Sequence, residues 1–224
     1  VKTQTTTQKQ TKNAFTADGF FRRARERLSF YDPVGLTDPD IIHSRGDHDL
    51  DRIFKLIAEE VALRPAAVLI GVVDHDEPTV ILTQRSDHLP DHPGQVSLPG
   101  GKIDPGETPL DCALREAEEE IGLSRQFIEP IGYLDIYATI KGFRIVPTVA
   151  RVQPGFSLSI DRSEVDDVFE VPLAFLMDPL NHQQHSRDFR GITRKFYAMP
   201  FNERYIWGVT AGILRTLYDR VMAE

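Results

Sequence analysis

The 224-residue chain has a single cysteine, Cys112, a single tryptophan, Trp207, and no apolar run that approaches a membrane span. A spanning helix needs roughly 18 to 20 such residues. One cysteine excludes an internal disulfide framework and agrees with a reducing compartment. No short apolar segment follows a basic start, so a secretory signal is not expected either. These absences lead us to expect a cytoplasmic protein with no stable membrane insertion. Positive charge is also short: 26 Lys and Arg face 34 Asp and Glu, for a net charge of -8. That balance argues against generic nucleic-acid binding. No Cys or His pair has the spacing of a zinc finger or of HExxH. With 41% hydrophobic residues, the chain can bury a full core, and one domain with extensions is expected.

What is present in excess is acid, concentrated after a glycine bend between Gly101 and Leu123. Thr108 can cap a helix, Pro109 suits its first position, Asp111 favours the positive helix start, and Gly122 is a stop. At roughly 100° per residue, Leu110, Leu114, Ala117 and Ile121 form one apolar stripe, which should face a core. Glu116, Glu119 and Glu120 fall away from it, three and four residues apart and so neighbours on one face. Like charges so placed cost a few tenths of a kcal/mol per pair, roughly, on an isolated helix. A hard divalent cation would reverse the sign, since Mg²⁺, Mn²⁺ and Ca²⁺ take carboxylate oxygens; the alternative is a solvated acidic face. Gly101 and Gly106 have the spacing of a phosphate-binding P-loop, but Glu107 stands where the lysine belongs, and a carboxylate cannot take that role. A Cys112 thiolate among Asp111, Glu116 and Glu119 is disfavoured by like charge, which makes this cysteine structural rather than nucleophilic.

The whole string fits Gly, five residues, Glu, seven residues, Arg-Glu, apolar, any, Glu-Glu, any, Gly, apolar, and so resembles the Nudix box. Gly101, Glu107, Arg115, Glu116, Glu119, Glu120, Gly122 and Leu123 match, with the small Ala117 at the first apolar position. The resemblance implies an α/β fold, an α/β/α sandwich with a mixed sheet between helices. It also implies Mg²⁺ or Mn²⁺ on Glu116, Glu119 and Glu120, with Arg115 and Glu107 keeping loop and helix in register. A guanidinium can brace a carboxylate bidentately, which agrees with that role.

Upstream, Val80-Ile81-Leu82-Thr83-Gln84-Arg85-Ser86 leads through Leu89, Gly94 and Gln95-Val96 to Leu98-Pro99-Gly100-Gly101. This resembles the motif that precedes the box in the coenzyme A diphosphatases of the Nudix superfamily, with Pro90 where that motif has arginine and Leu98 where it has phenylalanine. Gly142 to Pro147, Asp167 to Leu173 and Tyr205 to Gly212 are similar to further segments of the same group. The resemblance implies hydrolysis of the diphosphate of coenzyme A or acyl-coenzyme A, giving 3′,5′-ADP and a phosphopantetheine. ADP-ribose and dinucleoside polyphosphates are the alternatives within the class, and a non-catalytic nucleotide-sensing module is the alternative outside it. Arg85, Gly100, Gly101 and Lys102 are the candidates for substrate binding, with His88 and His92 as further cations beside the turn. Glu164, in Ser163-Glu164-Val165-Asp166-Asp167, is the candidate proton acceptor, a solvated loop acid being the plain alternative.

Residues 1–16 read as a disordered tail, rich in Thr, Gln and Lys and without acid to Phe15. It lacks the arginine and the amphipathic face of a transit peptide, which leaves organelle import as the lesser alternative. Residues 17–50 read as an extension. Within it Ala17 to Leu28 should form a basic amphipathic helix, with Arg22, Arg23, Arg25 and Arg27 beside Phe20, Phe21 and Leu28, that packs on the domain or a partner or docks on an anionic membrane. The stretch from Pro33 to Asp51 should be a loop. Residues 51–224 read as the hydrolase domain: a short helix around Ile53, Leu56, Ile57 and the Ala62 region, strands over Ala66–Val73, Thr79–Thr83, Ile128–Tyr137 and Arg144–Val152, and a closing helix over Ile206–Met222. A homodimer is compatible with these features.

Overall fold

The computed structural model describes residues 16–31, 33–50, 62–189 and 192–223. Of the expected tail, residues 1–15 lie outside these residues, and Thr16 instead caps the first helix; the expected helix around Ile53, Leu56 and Ile57 also lies outside them, and Ala62, expected within it, is not helical. Helix α1 (Ala17–Arg27) precedes strands β1 (Arg45–Gly46), β2 (Arg64–Val73), β3 (Thr79–Arg85), β4 (Val96–Ser97) and β5 (Gly100–Lys102). Helix α2 (Pro109–Ile121) follows, then β6 (Ile128–Tyr133), β7 (Tyr137–Ala138), β8 (Phe143–Val152) and β9 (Val165–Pro172). The short α3 (Leu173–Leu176) leads into β10 (Gln183–Phe189), β11 (Ile192–Phe201), β12 (Arg204–Trp207) and α4 (Val209–Leu217), which ends in a π-helical turn, Tyr218–Met222.

Strand β2 is apolar on both sides, as a strand buried on both faces must be. Ala66, Ile70 and Val72 join one core with Phe20 and Phe21 of α1 and Ile213, Leu214 and Leu217 of α4. Ala67, Leu69 and Val73 join another with Cys112, Ala113, Ala117 and Ile121 of α2. The sheet is therefore sandwiched between α2 on one side and α1 with α4 on the other, the α/β/α arrangement expected. The sheet is mixed, because β2 runs parallel to β8 from Arg64↔Phe143 to Val73↔Val152 and antiparallel to β3.

The hairpin read at Asp74 to Pro78 exists, but β2 and β3 share only the pairs Val72↔Val80 and Val73↔Thr79. Beyond these the two strands part. Strand β5 takes up β2, Gly101 opposite Ala67, and β4 takes up β3, Ser97 opposite Thr83. The glycine bend thus sits inside a split in the sheet. On its other edge β3 pairs with β9, with a register shift between Gln84 and Arg85.

Helix α1 starts where Thr16 Oγ1 accepts the Gly19 N–H at 3.2 Å and buries Phe20 and Phe21 completely. Its arginines turn outward; Arg25 pairs with Glu129 at 2.7 Å and Arg27 donates to the Ala223 carbonyl at 2.6 Å. The apolar face is inside the domain, which removes it as a membrane-docking surface. No described helix is long and apolar enough to cross a membrane.

Three expectations are corrected. The 33–51 loop contains β1, which pairs in parallel with β7. The strand read over Ile128–Tyr137 is two strands, broken after Tyr133 so that β7 can shift along β8. Ile206 and Trp207 belong to β12, and the closing helix begins at Val209, because Gly208 at φ 63° turns the chain between them.

Candidate active site

Helix α2 is built as its local chemistry demands. Thr108 Oγ1 accepts the Asp111 N–H at 3.1 Å, Pro109 opens the first turn, and Gly122 closes the helix in the left-handed region at φ 70°. Leu114, Ala117 and Ile121 are buried and Leu110 is half-buried, which fixes the rotation of the helix. Glu116 and Glu120 are thereby brought beside the glycine bend. Gly101 passes so close to Glu116 that a Cβ there would collide with its carboxylate.

Arg115 organises the acids. Its Nε and Nη2 donate to Glu107 at 2.9 and 3.0 Å, its Nη1 to Glu116 at 2.8 Å and Glu119 at 2.9 Å, and Nη2 also reaches the Lys102 carbonyl at 3.2 Å. The hydrogen bonds from Arg115 hold the Glu107 carboxyl below the usual range, so it stays an anion that braces the arginine. Glu107 in turn accepts the Asp104 N–H at 3.1 Å and closes the loop before the helix.

The three glutamates differ in environment. Glu120 is 5% exposed and accepts the Gly100 N–H at 3.3 Å. Burial first, then the Glu116 and Glu164 charges, push its pKa up to about 8, against the pull of the Gly100 N–H and the Arg85 charge. Glu116 is also raised, by burial first and then by Glu119 and Glu164, with Arg115 opposing. Glu119 is turned outward, its side chain 60% exposed. Among the described residues, no three His, Cys, Asp or Glu side chains converge into a ready-made metal cage.

The charge of Glu164, an exposed residue distant in sequence, is felt at both Glu116 and Glu120. The segment from Ser159 hangs on the end of α2: Ser159 N–H donates to the Ile121 carbonyl and Asp161 N–H to the Glu120 carbonyl, both at 2.9 Å. Asp161 then closes a turn, accepting from Ser163 N–H at 2.9 Å and Ser163 O–H at 2.7 Å. The Glu164 carbonyl accepts Ser86 N–H at 2.8 Å. Opposite, the shift between Gln84 and Arg85 is the kind of bulge that re-aims a side chain, and Arg85 is half-buried with its charge felt at Glu120. Lys102 is exposed at the end of β5, and His88 is exposed in the loop. His92, at φ 56°, lies 3.1 Å from Lys141 Nζ, and burial with that ammonium lowers its pKa, so it stays neutral at pH 7.

A NUDIX domain model matches residues 62–191, more than half of the chain. The chain belongs to the Nudix family. It is 38% identical over 155 residues to the Nudix hydrolase NudL of Escherichia coli O7:K1, covering 69% of this chain and 81% of that protein. The Salmonella heidelberg NudL is 37% identical over 177 residues, 76% of this chain and 92% of that one. Among solved structures, a Caenorhabditis elegans Ap4A hydrolase complex is 20% identical at a TM-score of 0.41, over 48% of this chain and 80% of that one. Deinococcus radiodurans DR0079 is 15% identical at 0.47, over 70% and 86%.

The protein is thus a Nudix hydrolase, a family that generally works with divalent metal ions. The residues suit that chemistry: Glu116 and Glu120 are hard oxygen donors crowded enough to repel each other in a shielded position. Magnesium commonly takes one or two carboxylates together with substrate phosphate rather than a complete protein cage. Cys112 has no part in it, since burial and the charges of Glu107 and Glu116 raise its thiol to about 12. Sequence reasoning missed the return of Ser159–Ser163 onto the Nudix helix. Its one local signal was Asp161 two residues before Ser163, an Asx-turn pattern.

Proposed function

We propose that this Nudix hydrolase cleaves the diphosphate linkage of coenzyme A or an acyl derivative, giving 3′,5′-ADP and the 4′-phosphopantetheine part. The observation that carries the hydrolytic site is the pairing of buried Glu120 with half-buried Glu116 beside the Gly100–Gly101 bend, with the charge of Glu164 felt at both. The preference for coenzyme A rests on the segment Val80–Gly101, which supplies β3, β4 and the bend itself. Glu116, Glu120 and the outward Glu119 would hold Mg²⁺ or Mn²⁺. Such an ion supplies charge neutralisation on the diphosphate and a lower pKa for attacking water.

The chain's own groups have separable tasks. Arg115, tied to Glu107, keeps the carboxylates aimed and neutralises part of their repulsion. Arg85 and Lys102 stand on either side of the bend as cations for phosphate oxygens. Glu164, exposed to solvent and near enough for its charge to be felt at Glu116 and Glu120, takes the proton from water. No protein nucleophile is needed, so no covalent intermediate is expected.

Steady-state kinetics on coenzyme A, acetyl-coenzyme A, ADP-ribose and dinucleoside polyphosphates with Mg²⁺ and Mn²⁺ test the reading. Coenzyme A should have the highest kcat/KM and release 3′,5′-ADP. A higher value for ADP-ribose would overturn the substrate, and full turnover by Glu164→Gln would remove that residue as the base.

A further inference from the structure

The second sheet presents a face that the carboxylate site does not use. His185 of β10 pairs in register with Phe196 of β11, and Trp207 of β12 with Ala198. Ala198 is the small residue in this row and lets His185 reach across β11 to Tyr205. The imidazole Nδ1 lies 2.6 Å from the Tyr205 hydroxyl and Nε2 2.9 Å from Gln183 Oε1. The His185 and Tyr205 rings are joined end to end by that contact, near-parallel at 29° with centroids 5.9 Å apart, and the Tyr205 and Trp207 rings are near-parallel at 27° with centroids 6.2 Å apart. Phe196 meets Trp207 edge-on at 5.2 Å. These rings and Arg187 line an open cleft of about 720 Å³, in which Tyr205 remains 41% exposed.

Two properties define what fits. Near-parallel rings already fixed by hydrogen bonds offer a π-face that loses little freedom when another flat ring lies on it. Arg187 is exposed at the cleft and no carboxylate among the described residues pairs with it, in a chain of net charge -8. A planar ring that carries an anion satisfies both. The β12–α4 segment that carries Tyr205 and Trp207 is fastened, on the side away from the cleft, to the strands that lead into the glycine bend. Thr210 O–H donates to the Val96 carbonyl at 2.9 Å, and Arg204, beside Tyr205, bonds Gln84 and Asp167.

We propose that this cleft binds the nucleoside end of a phosphorylated nucleotide, the base lying on the near-parallel Tyr205 and Trp207 rings and a phosphate meeting Arg187. As a subsite for substrate, the inference rests on the nucleoside-diphosphate reading above.

Trp207 is the only tryptophan, so its fluorescence reports the cleft directly. Adenosine 3′,5′-bisphosphate, added without metal, should quench it saturably, whereas 4′-phosphopantetheine, which has no flat ring, should not. Base stacking on an aromatic side chain is worth enough that Tyr205→Leu should raise the Kd roughly tenfold or more. Tyr205→Phe keeps the ring and should retain most of the affinity, which separates stacking from misfolding. Arg187→Gln should weaken the bisphosphate and leave adenosine unchanged. In turnover, Tyr205→Leu should raise KM for coenzyme A with kcat little changed.

Nucleotide bound by calorimetry with Trp207 fluorescence unmoved would overturn the proposal, as would wild-type affinity in Tyr205→Leu. So would a dimer in sedimentation that Tyr205→Leu dissociates, since the face would then belong to a second copy. The two readings fail separately. Coenzyme A cleaved with unchanged KM in Tyr205→Leu sinks the cleft alone, and quenching by the bisphosphate without coenzyme A cleavage sinks the substrate alone.

Discussion

Replacing Glu120 by Gln should make the metal-free protein more stable while disabling it. The carboxyl is 5% exposed, and burial with the Glu116 and Glu164 charges raises it to about 8. A carboxyl whose folded pKa lies above its unfolded value binds its proton more tightly in the folded state. Folding is therefore favoured fully below the unfolded value of about 4.3 and loses that advantage as pH rises toward 8. At about 1.4 kcal/mol per pKa unit, full ionisation of Glu120 costs the fold at most about 5 kcal/mol. Part of this comes from Glu116, whose own carboxyl can take up the proton instead, so a release of about 2 to 4 kcal/mol is expected from Glu120→Gln near pH 9. The amide oxygen can still accept the Gly100 N–H. For a chain of this size the gain corresponds to a Tm rise of roughly 4 to 15 °C.

Calorimetric or fluorescence melts at about pH 9 and about pH 4 measure it, with chelator present. The variant should melt higher at the alkaline pH and level with the parent at the acid one. Saturating Mn²⁺ should raise the parent and close much of the gap, because an ion that binds only the folded state adds its binding free energy. Turnover should fall by roughly 100-fold or more, since the variant lacks the carboxylate proposed to hold the metal. Equal melting temperatures at about pH 9, or a gain undiminished at about pH 4, would refute the electrostatic account of this carboxylate.

Arg115→Lys keeps the charge but not the fork that grips Glu107 at two points; a loss of about 1 to 3 kcal/mol is expected in urea denaturation, with a matching fall in kcat. Gly101→Ala should leave the strand pairing intact but push the Glu116 carboxylate aside, weakening Mn²⁺ binding by roughly tenfold or more in a calorimetric titration. Cys112 should resist iodoacetamide at about pH 8, where a thiol near 12 is ionised to about one part in 10⁴; modification at the rate of a free thiol in the folded protein would contradict its burial. Phe20→Ala should cost about 3 to 5 kcal/mol, since the ring is wholly buried against the hydrolase core; a change below about 1 kcal/mol would show that α1 is dispensable to the domain.

The Nudix helix was legible because its determinants are local. Thr108, Pro109 and Gly122 act within a turn of themselves, and the apolar stripe sets the rotation that carries Glu116 and Glu120 inward. Arg115 and Glu107, eight residues apart, are close enough for spacing to imply their contact. Glu164 was nameable as an acid, but its place depends on Ser159 and Asp161 binding carbonyls at the end of α2, a tertiary contact with no periodic signature. The face of the second sheet stayed hidden for a related reason. His185, Phe196, Tyr205 and Trp207 come together only through strand register, and the long apolar content from Ile206 to Met222 suggests helix throughout, whereas Gly208 turns the chain between β12 and α4.

The split between β2 and β3 links these two kinds of information. A continuous hairpin would pair Ala67 and Thr83 with each other's strand and leave no edge for the chain from Val96 to Lys102. Because the pairing stops after two registers, β5 can lie along β2 and turn the Gly100 N–H toward Glu120, while β4 lies along β3 and offers the Val96 carbonyl to Thr210. The backbone N–H that holds the buried Glu120 and the carbonyl that anchors the last helix thus come from a seven-residue stretch. A substitution that closes the split, by restoring pairing between β2 and β3, would displace the bend from α2 and loosen β12 together. Loss of metal binding and loss of Trp207 quenching in the same variant are the expected pair of symptoms.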